Sequence, residues 1–114
     1  MPSRFAKRLT GLLFLVAMVA IPASAQQSGG GREFTVQMDN MSFGQLPQGA
    51  KVGDTVIWVN NDTVQHTVTA RDGSFDVRLQ PGKRGRSVLT KAGTIGLYCI
   101  FHPMMRGTLR VAAS

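Results

Sequence analysis

Residues 51–70 read KVGDTVIWVNNDTVQHTVTA, and this stretch decides the fold class. Lys51-Val52-Gly53-Asp54 turns the chain into Thr55 to Asn60 (TVIWVN), a run rich in β-branched residues. Such side chains are stiff at χ1 and suit a pleated surface better than a helix. Asn60-Asn61-Asp62 is a cluster of short polar residues that bond their own backbone and turn it. His66 to Ala70 (HTVTA) then alternates apolar and polar, as a half-buried strand does. Two short strands with turn chemistry at their borders are therefore predicted within twenty residues.

The same rhythm continues in both directions. Upstream, Phe34, Val36 and Met38 alternate with Thr35 and Gln37, Asp39-Asn40 bends the chain, and Met41 with Phe43 forms a short continuation. Downstream, Arg71-Asp72-Gly73 is a turn, and Ser74 to Leu79 is a strand or an ordered loop. Pro81-Gly82 turns into a strand near Gly85 to Thr90, Ala92-Gly93 turns into Thr94 to Cys99, and Thr108 to Ala112 (TLRVA) closes the chain. After residue 25 no segment keeps a helical period. Seven to eight short strands at close spacing predict an all-β, antiparallel Greek-key sandwich, with Trp58 at the centre of its core.

The first 25 residues follow different rules. Arg4, Lys7 and Arg8 give a basic start, Leu12 to Ile21 (LLFLVAMVAI) is unbroken apolar sequence, and Pro22 precedes Ala23-Ser24-Ala25. These are the parts of a secretory signal peptide, with cleavage expected after Ala25. The apolar run is too short for a spanning helix, which needs roughly 20 such residues. The expected organisation is a signal peptide over 1–25, a flexible lead-in over 26–33 and one domain over 34–114. Export to the bacterial periplasm follows, with no stable membrane insertion once the leader is gone.

The whole chain has 114 residues, 13 Lys plus Arg and 6 Asp plus Glu. Removing 1–25 takes away three cations and no acid, so a mature chain of 89 residues would carry 10 basic and 6 acidic side chains. Its net charge of +4 is mild, with cations gathered at Lys83, Arg84 and Arg86. Exported and lacking aromatic–basic interleaving, the chain is no nucleic-acid binder. The basic cluster is either plain solvated surface or a means of steering toward an acidic protein partner. One cysteine rules out an internal disulfide, and a small domain has a thin stability margin that a bound metal would widen.

The chemistry concentrates in Tyr98-Cys99-Ile100-Phe101-His102-Pro103-Met104-Met105-Arg106-Gly107. Cys99, His102 and Met105 recur at intervals of three in a segment between two strands. The other histidine, His66, lies 33 residues before Cys99 at the start of a predicted strand that can reach the same end of a sandwich. A thiolate, two imidazoles and a weak thioether are the donor set of a blue-copper electron-transfer centre. Thiolate and thioether favour Cu(I), whereas imidazoles hold Cu(II) well. Structural zinc prefers four strong Cys or His ligands, so copper is expected over zinc. Spacing alone leaves both Met104 and Met105 open as the thioether.

At these residues the sequence resembles the small bacterial cupredoxins of the amicyanin/plastocyanin-like group. The resemblance rests on Gly93-Thr94, Cys99-x-x-His102-Pro103-x-Met105-x-Gly107, Val52-Gly53-Asp54-Thr55-Val56, Trp58-Val59-Asn60 and His66-Thr67-Val68, and it covers Phe34 to Val111. It implies one copper ion held by His66, Cys99, His102 and Met105. It also implies that His102 presents its edge through an apolar patch including Pro103 and Met104, and it makes Tyr98 a candidate second docking route. The sequence departs from the group at Thr67, commonly Asn there, at Gln65, often Pro, and at Ile95 and Leu97, where tyrosines are usual.

The function expected is that of a periplasmic single-electron carrier cycling Cu(II) and Cu(I) between transient protein partners. It would act as a monomer and have no catalytic residues. The alternative is a periplasmic copper chaperone or copper-resistance protein using His102, Met104, Met105, Met38 and Met41, although such a site would not need Cys99. A copper oxidase or nitrite reductase needs more histidines than the two present.

Overall fold

The computed structural model describes residues 31–114, together with Gly11, Leu15 and Ala17. Apart from those three residues, the expected leader and most of the expected lead-in lie outside the described residues. Among those described, no helix is long and apolar enough to cross a membrane.

Among the described residues nine strands follow one another: β1 (Glu33–Asp39), β2 (Ser42–Phe43), β3 (Ala50–Lys51), β4 (Thr55–Asn60), β5 (His66–Ala70), β6 (Asp76–Leu79), β7 (Arg84–Val88), β8 (Gly93–Tyr98) and β9 (Arg106–Ala112). They form two sheets, in the orders β2-β1-β4-β7 and β3-β9-β8-β5-β6. The all-β Greek-key sandwich read from the sequence is thus the fold, but its strands are not all antiparallel. β1 runs parallel to β4, from Glu33 opposite Thr55 to Met38 opposite Asn60, and β3 runs parallel to β9. The additional strands over the expected seven to eight arise where two-residue segments find ladder partners, as β2 does on β1 and β3 on β9.

β1 also begins one residue early, inside the expected lead-in. Glu33 pairs with Thr55, and Arg32 just before it donates its backbone N–H to Asp54 at 2.8 Å. The ambiguous Ser74 to Leu79 segment contributes β6, which pairs with β5.

The core lies between the sheets. β4 alternates, with Val56, Trp58 and Asn60 buried. Trp58 is fully buried, its indole N–H donates to Ser87 Oγ at 3.0 Å, and Phe43 and Phe75 each stand 6.3 Å from its ring. Val36, Met38, Val68, Leu97 and Leu109 complete this centre. Ile95 and Leu97, which depart from the related pattern, are ordinary buried core residues.

Candidate metal centre

The site forms where two chain ends of the second sheet meet. β5 opens with His66, opposite Leu79 of β6. β8 ends at Tyr98, and the chain makes a tight loop before β9 pairs back along it from Arg106. Cys99 N–H donates to Met105 O at 3.1 Å, and Met105 N–H donates to His102 O at 2.8 Å. The second bond closes a turn with Pro103 at its second position, where the fixed φ of proline is favourable. His102 therefore occupies the loop's crest and Met105 its return.

This loop brings three donors together. The ligand atoms of His66, Cys99 and His102 all lie within 4.8 Å of one another. Cys99 Sγ stands 3.9 Å from His66 Nδ1 and 3.6 Å from His102 Nδ1, and the two rings meet edge to face at 5.2 Å. Metal–sulfur and metal–nitrogen bonds of about 2.3 and 2.0 Å span up to about 4.3 Å, so one ion can bridge both separations. His66 and Cys99 are fully buried, whereas His102 is half-buried. The two methionines diverge, Met105 being 3 % exposed and Met104 90 % exposed. Only Met105 occupies the protected interior on the loop's return.

Electrostatics prepare the sulfur for a cation. Burial pushes the Cys99 thiol up, but the N–H of Thr67, both imidazoles and the N–H of Phe101 outweigh it and hold the thiol down at about 6 from an ordinary 9.0. The Thr67 N–H to Sγ contact is 3.3 Å. A thiolate is the form that binds metal, so the folded chain presents the ligand state itself.

Sequence reading missed the residues behind His66. Its Nε2 lies 2.6 Å from Asp62 Oδ2. The same carboxylate accepts the N–H groups of Asn40 and Met41, at 2.8 and 2.9 Å. Both of those residues have positive φ, 52° and 59°, so Asp62 secures a turn that side chains rarely adopt. The His66 contact, reinforced by the two N–H groups, lowers Asp62 to about 2. An ionised carboxylate only accepts, so Nε2 carries a proton toward Asp62 and Nδ1 is the nitrogen that faces the cluster. Asn60 holds this loop from the core: its amide donates to Val64 O and Leu79 O, and its Oδ1 accepts Asp62 N–H. In sequence, Asp62 and Asn60 are only turn residues; the spacing of four from Asp62 to His66 carries no message until the loop curls.

Around the cluster the surface is apolar. Ile100, Phe101 and Met104 are exposed beside His102, as are Val64 before His66 and Met41 above Asp62. Among the basic residues, Arg86 is paired with Glu33, while the carbonyl of Lys83 is bonded to Asn60 N–H and so places that cation at the cluster's end of the sandwich. Tyr98 is half-buried with the Arg71 guanidinium 4.6 Å over its ring.

Comparison with known proteins is consistent across sequence and structure. The cupredoxin-like domain family matches residues 11–111. Methylamine utilization protein MauL of Methylorubrum extorquens is 31% identical over 106 residues, covering 90% of this chain and 88% of that protein. Amicyanin of Paracoccus denitrificans is 34% identical over 67 residues, covering 54% of this chain and 51% of that protein. A solved structure of a reduced amicyanin variant with tyrosine in place of tryptophan has a TM-score of 0.62 at 27% identity, over 78% of this chain and 89% of that one. A Cu(I) form of a methionine-to-alanine amicyanin variant gives 0.62 at 28% identity with the same coverage.

Proposed function

The chain belongs to the cupredoxin-like domain family, and from that premise we propose that it is a mononuclear blue-copper electron carrier of the bacterial periplasm. The observation that carries the reading is the convergence of the Cys99 sulfur with one nitrogen each from His66 and His102, at 3.9 and 3.6 Å. In this reading Cys99, His66 and His102 hold the ion and Met105 is the weak fourth donor. The likeness to amicyanin, whose solved structures include a Cu(I) form, supports copper as the metal. Bound there, copper supplies a one-electron couple between Cu(II) and Cu(I).

The residues of the chain do the rest. Cys99 offers a thiolate near neutral pH, and Asp62 fixes the His66 ring with Nδ1 toward the sulfur. Burial of His66, Cys99 and Met105 excludes water from three sides. His102 is half-buried where His66 and Cys99 are fully buried, so it is the donor that reaches solvent, and the exposed Ile100, Phe101 and Met104 form the docking face for transient protein partners. Lys83 and Arg84, where β7 meets the end of β4, favour partners with acidic rims. Residues 1–25 act as a cleaved leader, and the mature domain works as a monomer without catalysing bond formation. A copper-transfer role would draw on Met38, but that side chain is fully buried in the core; the carrier reading is preferred.

The test is optical. Mature protein loaded with Cu(II) is expected to show intense visible thiolate-to-copper charge transfer, and Cys99→Ser is expected to lose it. A colourless loaded protein, or one equally blue after Cys99→Ser, overturns the proposal.

A further inference from the structure

The β5–β8 ladder pairs Ala70 with Leu97 and Thr69 with Tyr98, and there it stops. Continued by the same register, Val68 would face Cys99 and then Thr67 would face Ile100. No ladder bond joins them in the usual way, because Thr67 N–H is diverted to the Cys99 sulfur at 3.3 Å. Ile100 N–H is diverted as well, and donates to Thr67 Oγ1 at 2.9 Å. One threonine thus clasps the cysteine from both sides, its backbone on the sulfur and its hydroxyl on the following amide.

For the clasp to hold, the Thr67 hydroxyl must turn a lone pair toward Ile100. Its direction is set further along the strand. Thr67 Oγ1 lies 3.0 Å from Thr69 Oγ1, and Thr69 Oγ1 lies 2.9 Å from Asp76 Oδ1. A carboxylate can only accept, so the single hydroxyl hydrogen of Thr69 goes to Asp76. Thr69 can then only accept from Thr67, so the hydrogen of Thr67 goes to Thr69. What remains on Thr67 is acceptor capacity, aimed at Ile100. Both hydroxyls are buried, where an unpaired donor is costly, so the chain has one direction. Asp76 sits opposite Thr69 on β6 and is held from outside by Arg78, whose Nε and Nη2 are 3.4 Å from Oδ2.

We propose that Thr69 and Asp76 are positioning residues: a one-way hydroxyl chain from Asp76 through Thr69 orients Thr67 so that it ties the Cys99–Ile100 backbone to the strand bearing His66. Their importance for copper rests on the function proposed above, but the tie itself is a property of the metal-free chain.

The experiment is amide hydrogen exchange on metal-free mature protein, followed residue by residue. In Thr69→Val and Asp76→Ala the Ile100 amide is expected to exchange at least about fivefold faster, the scale of one lost hydrogen bond. Thr69→Ser, which keeps the hydroxyl, is expected to restore wild-type protection. The Trp58 amide, in the middle of β4, reports general loosening and is expected to stay unchanged. Ile100 exchange that is unprotected in the native protein, unmoved in Thr69→Val, or altered only in step with Trp58 overturns the proposal. Because no metal is present, a failure of copper loading leaves this readout intact, and the two readings fail separately.

Discussion

Asp62 shows how much a single side chain can settle without touching the metal. Its carboxylate reaches His66 Nε2 and the amides of Asn40 and Met41, so it joins the ring's orientation to the left-handed turn between β1 and β2. Loss of such a partner from a ligating histidine typically weakens metal binding about 10–100-fold. Asp62→Ala is therefore expected to reduce copper affinity by about that factor in competition titrations against a chelator of known strength. Asp62→Asn, which still offers an acceptor to Nε2, should fall between. Unchanged affinity in the alanine variant would show that burial alone holds the ring. The sulfur and the two imidazoles that converge were legible in sequence because the chain has only one cysteine and two histidines to place, whereas six methionines left the thioether open between Met104 and Met105. Asp62 was not legible, since its role depends on the path of residues 61–65, which Asn60 fixes through bonds to Val64 and Leu79.

Strand existence was legible for the same reason that it is physically strong: alternation along Phe34, Val36 and Met38, or along Val56 and Trp58, is local. Partnership is not local. Nothing in β1 records that it lies parallel to β4, and β2 and β3 are strands only because β1 and β9 offer them bonds. Two element contacts lead to predictions. Gly85 of β7 faces β6, and a Cβ there would lie 2.6 Å from Val77 Cγ1 and 3.1 Å from Leu79 Cδ2. Gly85→Ala should force the sheets apart at this corner and cost about 1–3 kcal/mol in urea unfolding; a neutral result would mean that β6 yields freely. Asp54, after β3, accepts the N–H groups of Lys51 and Arg32, both at 2.8 Å, and these contacts hold its carboxyl below the ordinary 3.8. A depressed folded pKa gives stability above the unfolded value that disappears as pH falls from about 4 through the folded one. The melting-temperature gap between wild type and Asp54→Asn is thus expected to narrow from pH 7 to pH 3, and a gap that stays constant argues against it.

At the scale of the molecule, the cluster joins pieces that the backbone ladder leaves separate. His66 heads β5, Cys99 follows β8, and His102 and Met105 precede β9, all in one sheet, while Asp62 and Asn60 connect the same point to β4 in the other. An ion bound there acts on the folded state, since the unfolded chain spreads the three converging donors over 37 residues from 66 to 102. Free metal at about 100 times its dissociation constant then adds about 2.7 kcal/mol to stability. For a domain of this size each kcal/mol moves the melting temperature by about 4–8 °C. Copper is therefore expected to raise it by about 10–20 °C, with the increase growing logarithmically as free copper rises. Chelation should reverse it. Cys99→Ser should melt close to the metal-free wild type and gain much less from copper, which separates loss of a ligand from damage to the core. Equal melting temperatures for the loaded and stripped wild-type protein would mean that the donors do not act together on one ion.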